Sequence, residues 1–424
     1  MSAARKSQKS IQVFAHWQGM DEPVEMGMLY AAPSRGKEIF SFEYNKAWLK
    51  SSYAQVLDPA LGLFSGPQYV RSDHDNFGLF LDSSPDRWGR VLMQRREAQL
   101  AKTQKRDPRV LVESDYLLGV YDEFRMGALR FRLSEGTPFL DAQADMAAPP
   151  WTKLRDLEYA SLQLEDNNAE NHSDYTMWLK MLVAPGGALG GARPKAGVLD
   201  PDHRPWIAKF PSRNDDINIG KWEFLVFQLA RSAGIETAAS DTRRFSGEHD
   251  TFLTMRFDRT ESGERIHFVS AMTMLGKKDG DSTSASYLDL AEFLIRNGAQ
   301  VNKDLEQLWR RIVFYVAISN TDDHLRNHGF LLQEHGWVLS PAYDMNPVAA
   351  GNGLTLNISR YDNSQDFELA RSVASVFRIK PKRADEIINE VRSAVRNWMK
   401  LARQLRLPSR EISVMKNAFR VADR

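Results

Sequence analysis

The fold class predicted by the sequence is α+β, in more than one compact part, and three observations carry that prediction. Short strand-like runs mix with helical stretches as far as about Phe131. A Gly-rich turn, two strand-like runs and a helix follow, and the last third has helical periodicity almost throughout. At 424 residues the chain is long enough to bury more than one core.

Residues 1–10 are polar and basic with nothing to bury, so a disordered N-terminus is expected there. They lack the apolar core of a secretory signal, and no later run is long and apolar enough to span a bilayer. The expectation is a cytoplasmic protein with no membrane partner. Residues 11–150 form a first α+β subdomain, with a strand at 39–44 and a helix at 87–98. The stretch 133–151, rich in Pro, Ala, Gly and Asp, marks its boundary. Residues 151–257 carry the Gly-rich turn, strands near 206–210 and 252–255, and a helix over 221–233 that stops at Gly234. Residues 258–424 are expected to be helical at 287–296, 304–318, 367–377 and 383–405, the last with Ile387, Val391, Val395 and Met399 on one stripe.

Composition narrows the function classes. The net charge is +1 with 26% charged residues, so nothing pulls the whole chain toward nucleic acid, and a DNA contact would need a partner. With no cysteine there is no disulfide, cysteine nucleophile or thiolate metal site, which is compatible with a reducing compartment.

The chemistry concentrates in Asn320-Thr321-Asp322-Asp323-His324-Leu325-Arg326-Asn327 and Ser340-Pro341-Ala342-Tyr343-Asp344-Met345. An aspartate and an asparagine five positions apart have the spacing of a phosphoryl-transfer loop, in which the first accepts the substrate hydroxyl proton and the second holds magnesium. Asp322 and Asn327 fit those two roles. A hairpin of 330–332 and 337–339, joined through His335-Gly336, then leads to Asp344 as the second metal-binding side chain. Aspartate and asparagine also cap loops and helices, and by itself the pair would fit capping. The preceding helix favours chemistry: Leu305, Leu308, Ile312, Val313 and Val316 recur at helical spacing and deliver the polar loop to a fixed place.

A nucleotide site is readable upstream. Pro185-Gly186-Gly187-Ala188-Leu189-Gly190-Gly191-Ala192-Arg193 would let backbone amides approach phosphate oxygens, the alternative being a plain connector. Lys209 ends the apolar run from Trp206 and is placed to meet phosphates, with Glu223 on the next helix as its partner. Glu223 equally suits the positive end of a helix dipole. The run from Phe252 to Arg259 lies where an inter-lobe hinge would hold adenine, or is an ordinary strand end. His324, His328 and His335 beside Asp322, Asp323 and Asp344 leave room for a metallohydrolase, but that reading accounts for neither Lys209 nor the glycines.

With Gly-Gly-Ala-Arg-Pro-Lys-Ala at 190–196, Met-Arg-Phe-Asp-Arg at 255–259, Thr-Asp-Asp-His-Leu-Arg-Asn at 321–327 and Tyr-Asp-Met at 343–345, the chain resembles the HipA serine/threonine kinases of bacterial toxin–antitoxin modules. Asp82-Ser83-Ser84-Pro85-Asp86-Arg87-Trp88-Gly89 and Met126-Gly127-Ala128-Leu129-Arg130 look like that family's N-terminal subdomain, and Asp366-Phe367-Glu368-Leu369-Ala370 like its helical part. The resemblance implies a bilobal protein-kinase-like fold with an extra N-terminal α/β subdomain, and a cofactor set of ATP and Mg2+. It implies Asp322 as catalytic base, Lys209 on the phosphates, and Asn327 with Asp344 on the metal. Gly190, Gly191, Ala192, Met255, Phe257, Asp258 and His324 would complete the nucleotide site, Asp258 near the ribose. It further implies a protein substrate of the translation machinery, such as an aminoacyl-tRNA synthetase, and a HipB-like DNA-binding antitoxin through which alone DNA is met. A catalytically weak corepressor within such a complex is the alternative. Many relatives phosphorylate a serine in the Gly-rich loop. Here Gly187 and Ala188 take its place, so self-inactivation at that point is not expected: either the regulation differs, or another hydroxyl such as Ser212 or Thr254 is used.

Overall fold

Alternating burial along Lys37–Tyr44, with Phe40, Phe42 and Tyr44 inward, is the pattern of a half-buried strand, and this strand lies in a five-stranded antiparallel sheet. The order is Gln68–Tyr69, Lys37–Tyr44, Val24–Ser34, Lys9–Ala15, Leu129–Arg132. The structure is a computed structural model that describes residues 8–140, 149–186, 191–245 and 247–423. Lys9 and Ser10 begin the first strand, which corrects the expected disorder of residues 1–10 at those two positions; residues 1–7 lie outside the described residues.

The chain divides into two compact units, Met1–Arg213 with Asp258–Val269, and Asn214–Phe257 with Ser270–Arg424. These limits differ from the expected divisions at residues 150 and 257. The Pro- and Ala-rich stretch near 150 falls inside the first unit, and the expected nucleotide-binding part is shared between the two. After Phe257 the chain goes back to the first unit for twelve residues before helical structure resumes. No composition shift marks that return.

The first unit adds the helix Arg87–Thr103, the helices Leu154–Leu164 and Tyr175–Gly186 packed on each other, and an antiparallel hairpin of Lys195–Leu199 with Pro205–Lys209. Arg125 pins its loops together. The fully buried guanidinium donates to the carbonyls of Ser83, Leu117, Val120 and Leu140, and burial lowers its pKa to about 9.

The second unit is centred on the helix Val301–Ile318, in which every residue from Leu308 to Ile318 is buried. The unit also contains the helix Ile219–Ser232, the hairpin Ser240–Arg243 with Thr251–Met255, the hairpin Gly329–Gln333 with Gly336–Leu339, and the C-terminal helices. Gly234 takes the expected left-handed conformation after the Ile219–Ser232 helix, at φ +76°. Two expected helices are interrupted. The 367–377 segment is the helix Phe367–Ser372 followed by a 3-10 turn, Ala374–Phe377. The 383–405 segment is Pro381–Val395 followed by Trp398–Gln404; after the break Trp398 stacks on Phe419 at 4.4 Å, and Met399 leaves the buried stripe of Ile387, Val391 and Val395.

Candidate active site

The Val301–Ile318 helix stops because Ser319 turns left-handed, at φ +53°, and its amide closes on Tyr315. The segment that follows is the expected catalytic loop. Its two adjacent aspartates have opposite environments. Asp322 is exposed, whereas Asp323 is 1% exposed and accepts hydrogen bonds from the Tyr287 hydroxyl and, at 2.8 Å, from the His328 ring. Burial, then the Asp323 carboxylate, push the Tyr287 phenol well above its ordinary pKa, so it stays a donor. Asp323 is thus the anchor of the loop, and Asp322 is its outward carboxylate.

Asn327 is brought to Asp322 as the spacing predicts: its side-chain Nδ2 donates to the Asp322 carbonyl at 3.0 Å. That contact leaves the Asn327 Oδ1 as the atom it can offer a cation. His324 closes the turn through its carbonyl, which accepts from the Asn327 amide at 2.8 Å. Asp344 is held beside the same loop. Tyr343 Oη donates to the Arg326 carbonyl at 2.7 Å, and the Asn346 amide donates to Asn320 Oδ1 at 3.3 Å, so the residues flanking Asp344 are tied to both ends of the loop. Asp344 itself has φ +55°, a left-handed conformation that a non-glycine residue adopts only where its surroundings enforce it. The Ala342 amide, bonded to Glu236 at 2.8 Å, fixes the approach to it. The donor set suits magnesium: one carboxylate and one amide oxygen are hard ligands, and phosphates and water supply the remainder. Among the described residues no three His, Asp or Glu side chains gather as a self-sufficient metal cage.

Met255 and Phe257 belong to this unit as well. Met255 ends its strand with an amide bond to Ala239 at 2.8 Å, and the Phe257 ring packs on Tyr343 with centroids 5.4 Å apart. An aromatic wall therefore stands next to Asp344. Glu223 is the fifth residue of its helix and is buried, beyond the first turn where the dipole favours acids most.

The first unit holds the other expected residues. Lys209 stands opposite Lys195 in the hairpin register, so both side chains leave one face of the ribbon. Gly191 has φ +94°, which favours glycine whatever the space, and a Cβ there would come within 2.6 Å of Lys195 Nζ, so the backbone lies close to this ammonium. Ala192 follows in the same turn; Gly190, Gly187 and Ala188 lie outside the described residues. Asp258 departs from its expected ribose contact. It is 1% exposed and its carboxylate accepts from the Gly127 amide at 2.8 Å and from Arg259 at 2.7 Å, inside the first unit. A side chain sealed in this way is structural. Of the alternative acceptor hydroxyls, Ser212 donates to Glu165 at 2.8 Å and Thr254 is buried in its strand.

Three side chains that shape the candidate site are not singled out by sequence motifs alone. Lys195 lies within the Gly-Gly-Ala-Arg-Pro-Lys-Ala motif, and its strand register with Lys209 is the available signal. Tyr343 lies next to Asp344 and its hydroxyl bond to Arg326 has no sequence signature. Tyr287 carries no local signal, since its partner Asp323 is 36 residues away.

The profile of the HipA-like C-terminal domain matches residues 187–399, 213 of the 424 residues. The chain belongs to the HipA family. HipA of Shewanella oneidensis MR-1, solved with HipB and operator DNA, superposes with a TM-score of 0.63 over 96% of this chain and 95% of that one, at 17% identity. That likeness shows the HipA fold, the α+β kinase-like architecture implied by the motifs. Two curated relatives are named as candidate kinases. Y4mE of Sinorhizobium fredii is 27% identical over 34% of each chain, and a Haemophilus influenzae protein is 24% identical over 39% of this chain and 53% of its own. The matched regions thus span about a third and about half of the length of those two relatives. Among the described residues, no helix is long and apolar enough to cross a membrane.

Proposed function

We propose that this HipA-family protein is an ATP- and magnesium-dependent serine/threonine protein kinase, acting in the cytoplasm as the toxin of a toxin–antitoxin pair. The observation that carries the reading is the loop in which the Asn327 side chain donates to the backbone carbonyl of Asp322, whose own side chain is exposed, while Tyr343 and Asn346 on either side of Asp344 bond to the same loop. Asp322 would accept the proton of the substrate hydroxyl as its oxygen attacks the γ-phosphorus. Asn327 Oδ1 and the Asp344 carboxylate would hold magnesium, which when bound neutralises phosphate charge. Lys209 and Lys195, directly opposite each other in the hairpin, would bring two positive charges to one face of the ribbon for a triphosphate. Glu223 would orient Lys209, and Met255 and Phe257 would frame the adenine.

The substrate would be a protein of the translation machinery. A HipB-like antitoxin would restrain the kinase and supply the operator contacts; the Shewanella relative supports that partner through its own complex with HipB and DNA. Incubation of the purified chain with γ-labelled ATP, magnesium and cell lysate tests the proposal. A labelled protein band is expected. No labelled band, together with intact association with a DNA-binding partner, would favour the corepressor reading instead.

A further inference from the structure

Asp86 is the N-cap residue of the helix Arg87–Thr103, yet its side chain makes no capping hydrogen bond to that helix. An aspartate in this position ordinarily accepts from the second or third amide of its own helix. Here the carboxylate is directed to the Gly191 amide, 105 residues on, at 2.6 Å. Two further bonds come from the same helix start: the Trp88 amide donates to the Gly191 carbonyl at 3.3 Å, and Trp88 Nε1 donates to the Lys195 carbonyl at 3.1 Å. The turn from Gly191 to Lys195 is therefore gripped at both ends. Within it Gly191 holds φ +94°, a conformation that side-chain-bearing residues rarely adopt, and its Cα faces the Lys195 ammonium.

We propose that Asp86 is a positioning residue for the nucleotide's phosphates, acting through Gly191 and Lys195 from the N-terminal subdomain. This rests on the kinase reading, in which the Gly-rich turn meets phosphate. The charged acceptor on the Gly191 amide fixes the turn in the one conformation that sets the Lys195 ammonium against the Gly191 backbone. Without it the left-handed glycine is free to turn over, and the turn's amides and Lys195 no longer converge on one anion.

The test compares binding of Mg·ATP and of adenosine to the full-length wild type, Asp86→Ala and Asp86→Asn by calorimetry, with KM and kcat for labelling. Asp86→Ala is expected to weaken Mg·ATP binding and raise KM about tenfold, the effect of one charge-assisted hydrogen bond. Adenosine affinity and kcat should stay within about twofold, and Asp86→Asn, which keeps an acceptor oxygen, should recover most of the loss. Gly191→Ala, which leaves Asp86 in place and displaces the turn from Lys195, should show the same phosphate-specific loss if Asp86→Ala fails to fold. Equal weakening of adenosine and Mg·ATP in both variants, or unchanged Mg·ATP binding in a folded variant, overturns the assignment. A wild type that binds neither ligand overturns the kinase reading itself.

Discussion

At the scale of single residues, the separation of labour between Asp322 and Asp323 is the most consequential feature, because sequence spacing alone cannot say which of two adjacent carboxylates faces solvent. Burial and the bonds from Tyr287 and His328 give Asp323 to the interior. Removing it by Asp323→Ala would leave a buried hydroxyl and imidazole without their acceptor. A loss of about 3 kcal/mol in the unfolding free energy of the second unit is expected. Asp322→Asn, on an exposed side chain, should change it by less than about 0.5 kcal/mol. Urea titrations followed by tryptophan fluorescence make the comparison; equal stability of the two variants would refute the assignment. The D-x-x-x-x-N spacing made Asp322 and Asn327 legible. The burial of Asp258 was not legible, because the neighbouring Arg259 and the distant Gly127 amide that bond its carboxylate have no periodic signature.

At the scale of elements, Val301–Ile318 determines where the loop sits, and its first turn holds a pH-sensitive group. Burial raises the Asp304 carboxyl to about 6, opposed by a bond from the Leu339 amide. The folded state therefore favours the protonated form. Its contribution is complete below about pH 4 and is lost as pH rises toward 6. Asp304→Asn keeps an acceptor and never ionises, so it should be more stable than the wild type by about 1–3 kcal/mol at pH 7, with the difference vanishing below about pH 4. A difference independent of pH would contradict the environment described for Asp304. This helix was legible because its apolar residues repeat over five turns. The interruption at Arg396–Asn397 was not, since the stripe of Ile387, Val391 and Val395 continues formally to Met399, and only the stacking of Trp398 on Phe419 shows where it ends.

At the scale of the whole molecule, the residues proposed for the chemistry fall in two units: Lys195, Lys209 and the Gly191 turn in the first, Asp322, Asn327, Asp344 and Phe257 in the second. The α+β class and the order of motifs followed from local patterns. The unit limits did not, because the return of Asp258–Val269 to the first unit is decided by long-range packing such as that of His267 on Trp17, whose rings lie 5.7 Å apart. Family membership and the HipA fold are shown, and the proposed catalytic role rests on one carboxylate. The most direct test is a paired measurement on Asp322→Asn: Mg·ATP affinity and the rate of phosphate transfer to protein. Affinity within about threefold of the wild type with transfer reduced by about a hundredfold or more is the predicted result for loss of a general base; transfer at the wild-type rate would contradict the account.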